Sequence, residues 1–182
     1  MKKVTLSATR LRQKRKQIDG LDFTQLKSKL MDKEEGKGWT AKMCDAVEVL
    51  YKQFLFIILK YPGREIVPTK QIDDFWHAHI LDTRRYMSDC KNIFGHYVHH
   101  YPYFGLRGEQ DAKNLQNTFS ETNKIWQKEF GADTPVKGLN AVCGTGGGKC
   151  KTSFCGSNCA GRCRSKKTKS AFCSGGPVKK VA

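Results

Sequence analysis

The sequence has no long hydrophobic run. Its longest apolar stretch, residues 54–59, is far shorter than the roughly 20 residues that a membrane-spanning helix needs. Lys2 and Lys3 are followed by Thr, Ser, Arg and Gln instead of an apolar stretch, so no secretory signal is predicted. We therefore expect a protein without a membrane span and with a cytoplasmic location. The Arg-rich start makes import into an organelle the second interpretation.

The sequence also has little that predicts strands or conventional zinc modules. No segment alternates apolar and polar residues over the length of a half-buried strand, whereas helical periodicity dominates from 21 to 131. Neither an HExxH motif nor a CxxC pair occurs. The pattern predicts an all-α fold and argues against a zinc finger or a zinc protease of the usual kinds.

Acidic residues are nearly missing from the two ends of the chain. Residues 1–20 contain seven Lys/Arg against Asp19, and residues 132–182 contain ten against Asp133. The middle of the chain has sixteen basic and fifteen acidic residues, so the formal net charge of +16 belongs to the ends. Flexible cationic ends bind nucleic acid or another polyanion through counterion release, or they only keep a protein soluble. The candidate nucleic-acid-binding residues are Arg10, Arg12, Lys14, Arg15, Lys16, Arg162, Arg164, Lys166, Lys167 and Lys169.

These patterns divide the chain into three segments. We predict a basic disordered arm over 1–20, a compact bundle of about four helices over 21–131, and a Gly/Lys/Cys-rich tail over 132–182. The predicted helices are a short one over 21–30, one capped by Thr40 and ending near Tyr61, one capped by Thr69 that runs to about Asn92, and one over 109–130. The segment 95–105 is predicted to be a loop rich in His and aromatic residues.

All five histidines fall within 24 positions, from His77 to His100. Neutral imidazole is the commonest transition-metal ligand, and the pattern favours zinc or iron as the cofactor. Residues two apart on a helix point about 200° away from each other, so His77 and His79 are not expected to serve one ion. Asp73 and Asp74 lie about one turn before His77, and either could ligate beside it or orient its second ring nitrogen. The candidate metal ligands are His77, His79, His99, His100, Asp82 and Cys90.

Three functions remain open on this basis. The first is a module that binds a metal or a protein partner through residues 77–100. The second is a metalloenzyme whose pocket contains His77, His99, His100 and Asp82, with Cys90 nearby. Cys90 lies on the apolar stripe and is expected to be a buried structural thiol, although a pair with His99 or His100 would lower its pKa. The third is a nucleic-acid-binding accessory protein that works through its basic ends. The plain alternative is that the imidazoles cap helices, bond to carbonyls and stack on aromatic rings. None of these interpretations assigns a catalytic residue.

The predicted tail contains six cysteines within 31 residues: Cys143, Cys150, Cys155, Cys159, Cys163 and Cys173. They could form three disulfides in an oxidising compartment, or Cys155, Cys159 and Cys163 could bind a thiophilic ion. A modified peptide region is a further alternative. The composition itself favours a disordered basic tail with reduced thiols.

The stretch IDDFWHAHILDTRRYMSDCKNIFGHYVHHYPYFGLRGEQDAKNL, residues 72–115, resembles the glycine-rich domain-containing protein-like family, a group of uncharacterised proteins. The similarity extends more loosely over 21–131, and His96 does not belong to the pattern. The resemblance implies no activity, although larger plant relatives look like RNA-associated proteins with separate recognition modules. Because this chain has no RNP-like aromatic motif, an RNA role would rest on its ends. The residues that carry the resemblance are Phe75, Trp76, His77, His79, Asp82, Tyr86, Asp89, Cys90, Phe94, Gly95, His99, His100, Pro102, Tyr103, Phe104, Gly105, Arg107 and Gly108.

Overall fold

The computed structural model describes residues 6–131, and the remaining residues, 1–5 and 132–182, lie outside the described part. The predicted tail, its six cysteines and the basic candidates from Arg162 to Lys169 are therefore not described. No strand occurs within 6–131, which confirms the all-α prediction. Six helices follow one another along the chain: α1 (Ala8–Asp19), α2 (Thr24–Met31), α3 (Ala41–Lys60), α4 (Lys70–Leu81), α5 (Thr83–Phe94) and α6 (Glu109–Phe130).

Helix α3 is the centre of the bundle. Thr40 caps it as predicted, because its hydroxyl accepts a hydrogen bond from the backbone N–H of Met43 at 3.2 Å. Its apolar positions cover a broad stripe, and α1, α2 and α4 pack against it. Helix α6 is joined to it by Trp126, whose indole N–H donates to Gln53 Oε1 at 2.9 Å. The buried side chains of α3 are Cys44, Val47, Leu50, Tyr51, Phe54, Leu55, Ile57 and Leu59.

An aromatic cluster attaches α4 to the centre of the bundle. Phe23, which precedes α2, packs edge-on against Tyr51 of α3 at 5.6 Å and against Phe75 of α4 at 5.3 Å between ring centroids. Trp76 packs edge-on against Phe54 at 5.1 Å. Such edge-to-face pairs add orientation to the burial of apolar area. They fix the rotation of α4 about its axis, and this rotation decides which of its polar side chains face the core.

The sequence predicts one helix from Lys70 to about Asn92, but the structure breaks it at Asp82. The backbone N–H of Asp82 ends α4 on the carbonyl of Ala78, and the carbonyl of Asp82 starts α5 by accepting from Tyr86 N at 2.8 Å. The apolar stripe continues on both sides of the break, so local periodicity does not reveal it. The break allows α5 to fold back, so that Tyr86 reaches Trp76.

The N-terminal segment differs from the disordered arm that the sequence predicts over 1–20. Residues 8–19 form α1, which begins at Ser7, where the side chain accepts from Arg10 N at 3.3 Å. Ile18 is fully buried, and the Arg15 guanidinium lies over the Phe56 ring at 4.7 Å. This corrects the prediction for residues 8–19. High charge suggested disorder, yet Ile18 and Leu11 pack on the core, and the stacked Arg15 guanidinium adds to the docking of the helix.

None of the helices within 6–131 combines the length and the hydrophobicity that crossing a bilayer would require.

Candidate metal site

Three potential metal ligands converge where α4 meets the loop that follows α5. Asp73 and His77 lie one turn apart on α4 and therefore share a face of the helix. His100 arrives from the loop, with Nε2 2.8 Å from Asp73 Oδ1 and 3.2 Å from His77 Nε2. His77 Nε2 lies 3.6 Å from Asp73 Oδ2. Among residues 6–131, Asp73, His77 and His100 form the group of His, Cys, Asp or Glu side chains whose ligand atoms lie close enough together to hold one metal ion.

Hydrogen bonds join the three groups of this cluster. The carboxylate of Asp73 can only accept, so His100 Nε2 must carry the hydrogen that it donates at 2.8 Å. The hydrogen on His100 Nε2 can be shared with His77 Nε2, 3.2 Å away, which then accepts it through its lone pair. A cation among the three groups would instead receive a lone pair from each of them.

The separations between the donor atoms suit coordination of a metal ion. Bonds of about 2.0–2.2 Å to nitrogen and oxygen place neighbouring donors roughly 3 Å apart around one ion. The observed distances of 2.8, 3.2 and 3.6 Å bracket that value. Two imidazoles with one carboxylate form a donor set that zinc and non-haem iron(II) both use in proteins.

The three ligands lie at the boundary between core and solvent. Asp73 is 3 % exposed, whereas the His77 side chain is 36 % exposed and that of His100 is 15 % exposed. A buried carboxylate is costly without a charged or hydrogen-bonding partner, and the imidazoles provide one. The partial exposure of the two rings leaves a route by which an ion or a small molecule can reach the site.

A buried hydrogen-bond chain holds the loop that carries His100. Trp76 Nε1 donates to the Tyr86 hydroxyl at 2.9 Å, and that hydroxyl donates to the carbonyl of Val98 at 2.6 Å. The Trp76 ring also packs edge-on against His100, with centroids 4.6 Å apart. Residues from α4 and α5 thus orient His100 without ligating anything themselves, in the manner of outer-shell groups at metal sites.

A cleft of about 280 Å³ opens beside the cluster, and Asp73, Trp76 and His100 contribute to its lining. Its walls come from α3, α4 and the connection between them, from the loop after α5, and from α6. Most of this wall is apolar. The apolar lining residues are Ile58, Ile66, Val67, Pro68, Val98, Pro102, Phe104 and Leu115.

His79 lies outside the cluster and belongs to the core. The Tyr51 hydroxyl lies 2.9 Å from its Nδ1, and Asp89 Oδ2 lies 3.1 Å from its Nε2. Since Asp89 can only accept, Nε2 carries the hydrogen and Nδ1 accepts from Tyr51. Burial lowers the pKa of His79 and outweighs the opposing effect of Asp89, so the ring is held neutral. His79 is therefore a structural histidine whose two ring nitrogens are both hydrogen-bonded in the core, and it is not a ligand of the cluster.

Cys90, His99 and Asp82 also lie outside the three-residue cluster. Cys90 is buried, and burial raises the pKa of its thiol, which is the opposite of the shift that an activating imidazole would cause. His99 is exposed, and its ring packs on Tyr97 at 4.8 Å between centroids. Asp82 is exposed at the junction of α4 and α5.

The sequence identified Asp73 and Asp74 as neighbours of His77 but neither entered the predicted ligand set; in the structure Asp73 joins the cluster, whereas Asp74 pairs with Lys37 at 3.0 Å. The available signal was the four-residue spacing between Asp73 and His77 on one helix. Tyr86 and Asp89 had no comparable signal, because their partners lie on the helix before the break at Asp82.

The basic candidates on α1 divide into two groups. Arg15 pairs with Asp19 at 3.0 Å and stacks on Phe56, and Lys14 donates to the carbonyl of Asn92. These two residues contribute to docking α1 on the bundle. The other three, Arg10, Arg12 and Lys16, are exposed.

Comparison with known proteins places this domain in a family. The sequence profile of the UCP032817-like family matches residues 13–128, a range that begins within α1. Glycine-rich domain-containing protein 1 of Arabidopsis thaliana is 33 % identical over 85 residues, and glycine-rich domain-containing protein 2 is 34 % identical over 85 residues. Each match covers 44 % of this chain but 10 % of the plant protein. No solved structure matches the chain. The chain therefore belongs to the UCP032817-like family and is similar to glycine-rich domain-containing proteins, as the residues between 72 and 115 predicted.

Proposed function

We propose that this protein is a helical metal-binding module that holds one divalent transition-metal ion, zinc or iron(II), through Asp73, His77 and His100. The observation that carries the proposal is the convergence of one carboxylate and two imidazole nitrogens at donor separations of 2.8–3.6 Å. Each of these side chains is of a type that ligates such ions.

The arrangement favours a reactive or ligand-binding metal over a structural one. Structural zinc is enclosed by four protein ligands, whereas catalytic zinc and non-haem iron keep positions open for water or substrate. Here three protein ligands lie at the edge of a cleft that Asp73 and His100 help to line. When bound, the ion would act there as a Lewis acid. We therefore extend the proposal from a metal-binding module to a metalloenzyme, without assigning its reaction.

The test is the metal content of the full-length, untagged protein after its accessible thiols have been alkylated. Alkylation removes the tail cysteines as competing ligands. After loading with Zn²⁺ or, under anaerobic conditions, Fe²⁺, followed by gel filtration, we expect about one ion per chain in the wild type. The Asp73→Asn and His100→Ala variants should lose it.

His96→Ala is the matched control, because His96 is an exposed histidine of the same loop whose ring lies near Phe94, at 6.2 Å between ring centroids, and outside the cluster. It should retain the full metal content. Equal metal content in the wild type, Asp73→Asn and His100→Ala would exclude the proposed site.

A second proposed function is binding of single-stranded RNA or another polyanion through α1. Arg12 and Lys16 are one turn apart and exposed, and neither has an ion pair within residues 6–131. Uncompensated cations on one face are typical of phosphate-binding surfaces. The double variant Arg12→Gln, Lys16→Gln should bind single-stranded RNA with a weaker salt dependence. The slope of log binding constant against log salt concentration should fall in magnitude by about 1.4. The exposed pair Lys33→Gln with Lys42→Gln is the charge-matched control, and an equal effect of both pairs would leave α1 without a specific role.

A further inference from the structure

We infer that the cleft beside Asp73 and His100 binds a small monocarboxylate with an apolar body, whose carboxylate completes the coordination of the metal ion. This inference rests on the proposed metal site and adds the class of ligand that the site takes. Three features of the cleft support it, namely its wall, the charge at its inner end and the balance of charges at its rim.

The wall of the cleft suits an apolar ligand body. Ile66 and Val67 come from the connection before α4, Phe104 from the loop after α5, and Leu115 from α6. At roughly 30 Å³ for each water-sized group, a volume of 280 Å³ holds a ligand of about ten heavy atoms. Burial of apolar ligand surface against such a wall is favourable because it removes that surface from water.

The charge at the inner end of the cleft favours a single negative charge on the ligand. A divalent ion with the Asp73 carboxylate and two neutral imidazoles retains a net charge of +1. Uncompensated charge is costly where Asp73 is only 3 % exposed. One carboxylate neutralises it, while a phosphate dianion would leave an excess of the opposite sign.

The rim of the cleft does not supply extra positive charge for a polyanion. Arg107 is paired with Asp111 at 2.9 Å and lies over the Tyr101 ring at 5.5 Å, so its charge is already compensated. Glu65 lines the same cleft as Arg64. The rim is therefore balanced in charge, unlike a phosphate-binding site built from several free cations.

The test uses the thiol-alkylated, full-length protein loaded with Co²⁺, whose visible absorption reports ligands that bind to the metal. The probes are phenylacetate, acetate and inorganic phosphate. Phenylacetate should change the cobalt spectrum with a Kd at least tenfold below that of acetate, and phosphate should bind no more tightly than acetate.

Phe104→Ser should remove most of the preference for phenylacetate without removing the cobalt spectrum, because Phe104 contributes to the wall but not to the ligand set. Leu106→Ser is the control, since Leu106 is in the same loop, 57 % exposed and outside the lining. Should Phe104→Ser fail to fold by circular dichroism, Ile66→Thr replaces it.

The outcomes separate this inference from the metal site itself. A wild-type cobalt spectrum with equal affinity for phenylacetate and acetate, or with tighter binding of phosphate, would overturn the carboxylate ligand and leave the metal site intact. If the wild-type protein shows no cobalt absorption, or if His100→Ala shows the same absorption as the wild type, both the metal site and the carboxylate ligand are overturned.

Discussion

The hydroxyl of Tyr86 donates a hydrogen bond to the carbonyl oxygen of Val98 at 2.6 Å, and so joins α5 to the loop two residues before His100. Both residues are buried, and the same hydroxyl accepts from Trp76 Nε1. The contact links the packing of the helices to the position of a proposed metal ligand.

Tyr86→Phe should therefore affect both stability and metal binding. Removal of the hydroxyl leaves the Trp76 N–H and the Val98 carbonyl buried without this partner, which should cost about 1–3 kcal/mol of unfolding free energy. Freed from this tether, His100 should bind metal with roughly tenfold lower affinity. Urea unfolding and a Co²⁺ titration measure the two effects. Tyr97→Phe is the control, because the Tyr97 ring packs on the Tyr86 ring at 5.1 Å between centroids but is exposed. This substitution should change neither the unfolding free energy nor the metal affinity.

Replacement of His79 should separate its structural role from metal binding. His79→Leu leaves the Tyr51 hydroxyl and the Asp89 carboxylate without the partner that each has now. We expect a loss of about 2–4 kcal/mol in unfolding free energy, since a buried donor and an acceptor become unsatisfied. The metal content of the folded protein should stay at the wild-type level, in contrast to His100→Ala. A loss of metal from folded His79→Leu would show that His79 contributes to the site.

Gly105 lies where the loop touches α6, and its replacement should reveal how tightly the cleft is packed. Its φ is +87°, and a Cβ there would lie 2.6 Å from Cδ2 of the buried Leu115. Gly105→Ala should cost about 2–4 kcal/mol, from left-handed backbone strain together with overpacking. Gly63→Ala is the control for strain alone, because its φ is +78° and nothing lies within 4 Å of the new Cβ. Equal losses for the two variants in thermal unfolding would mean that Leu115 moves aside freely.

The contact of Glu129 with the end of α3 should make stability sensitive to acid. Burial by itself would raise the pKa of Glu129, but the Lys60 ammonium and the Tyr61 hydroxyl, which donates at 2.6 Å, together lower it below the usual 4.5. A lowered carboxyl pKa contributes stability that is present above pH 4.5 and is lost as the pH falls through the folded-state value.

Glu129→Gln should consequently cost about 1–2 kcal/mol near pH 7, and the difference from the wild type should shrink as the pH falls below 4.5. Unfolding by urea at a series of pH values measures it. Glu121→Gln is the control on the same helix, because Glu121 is exposed and pairs only locally with Lys124. A Glu129→Gln deficit that does not vary with pH would mean that ionisation of this carboxyl is not coupled to folding.

The helices that could be predicted from sequence are those with local signals at both ends. Thr40 as cap and an apolar stripe predicted α3, and the periodicity before Gly131 predicted α6. Helix α1 also has a cap at each end, Ser7 and Gly20, but its high charge favoured a prediction of disorder, and Leu11 and Ile18 are too short an apolar pattern to outweigh it. The break at Asp82 was invisible because the apolar pattern continues through it.

The residues of the candidate site likewise differ in how far the sequence predicts their positions. The shared helical face of Asp73 and His77 follows from the sequence, since a separation of four residues places them together in any α-helix. The approach of His100 to this pair, and the exclusion of His79 from it, follow from the packing of distant segments. Both outcomes depend on the break between α4 and α5 at Asp82 and on the aromatic packing that sets the rotation of α4. Helical periodicity specifies which side chains lie on one face, whereas contacts between distant segments are specified by how those faces pack.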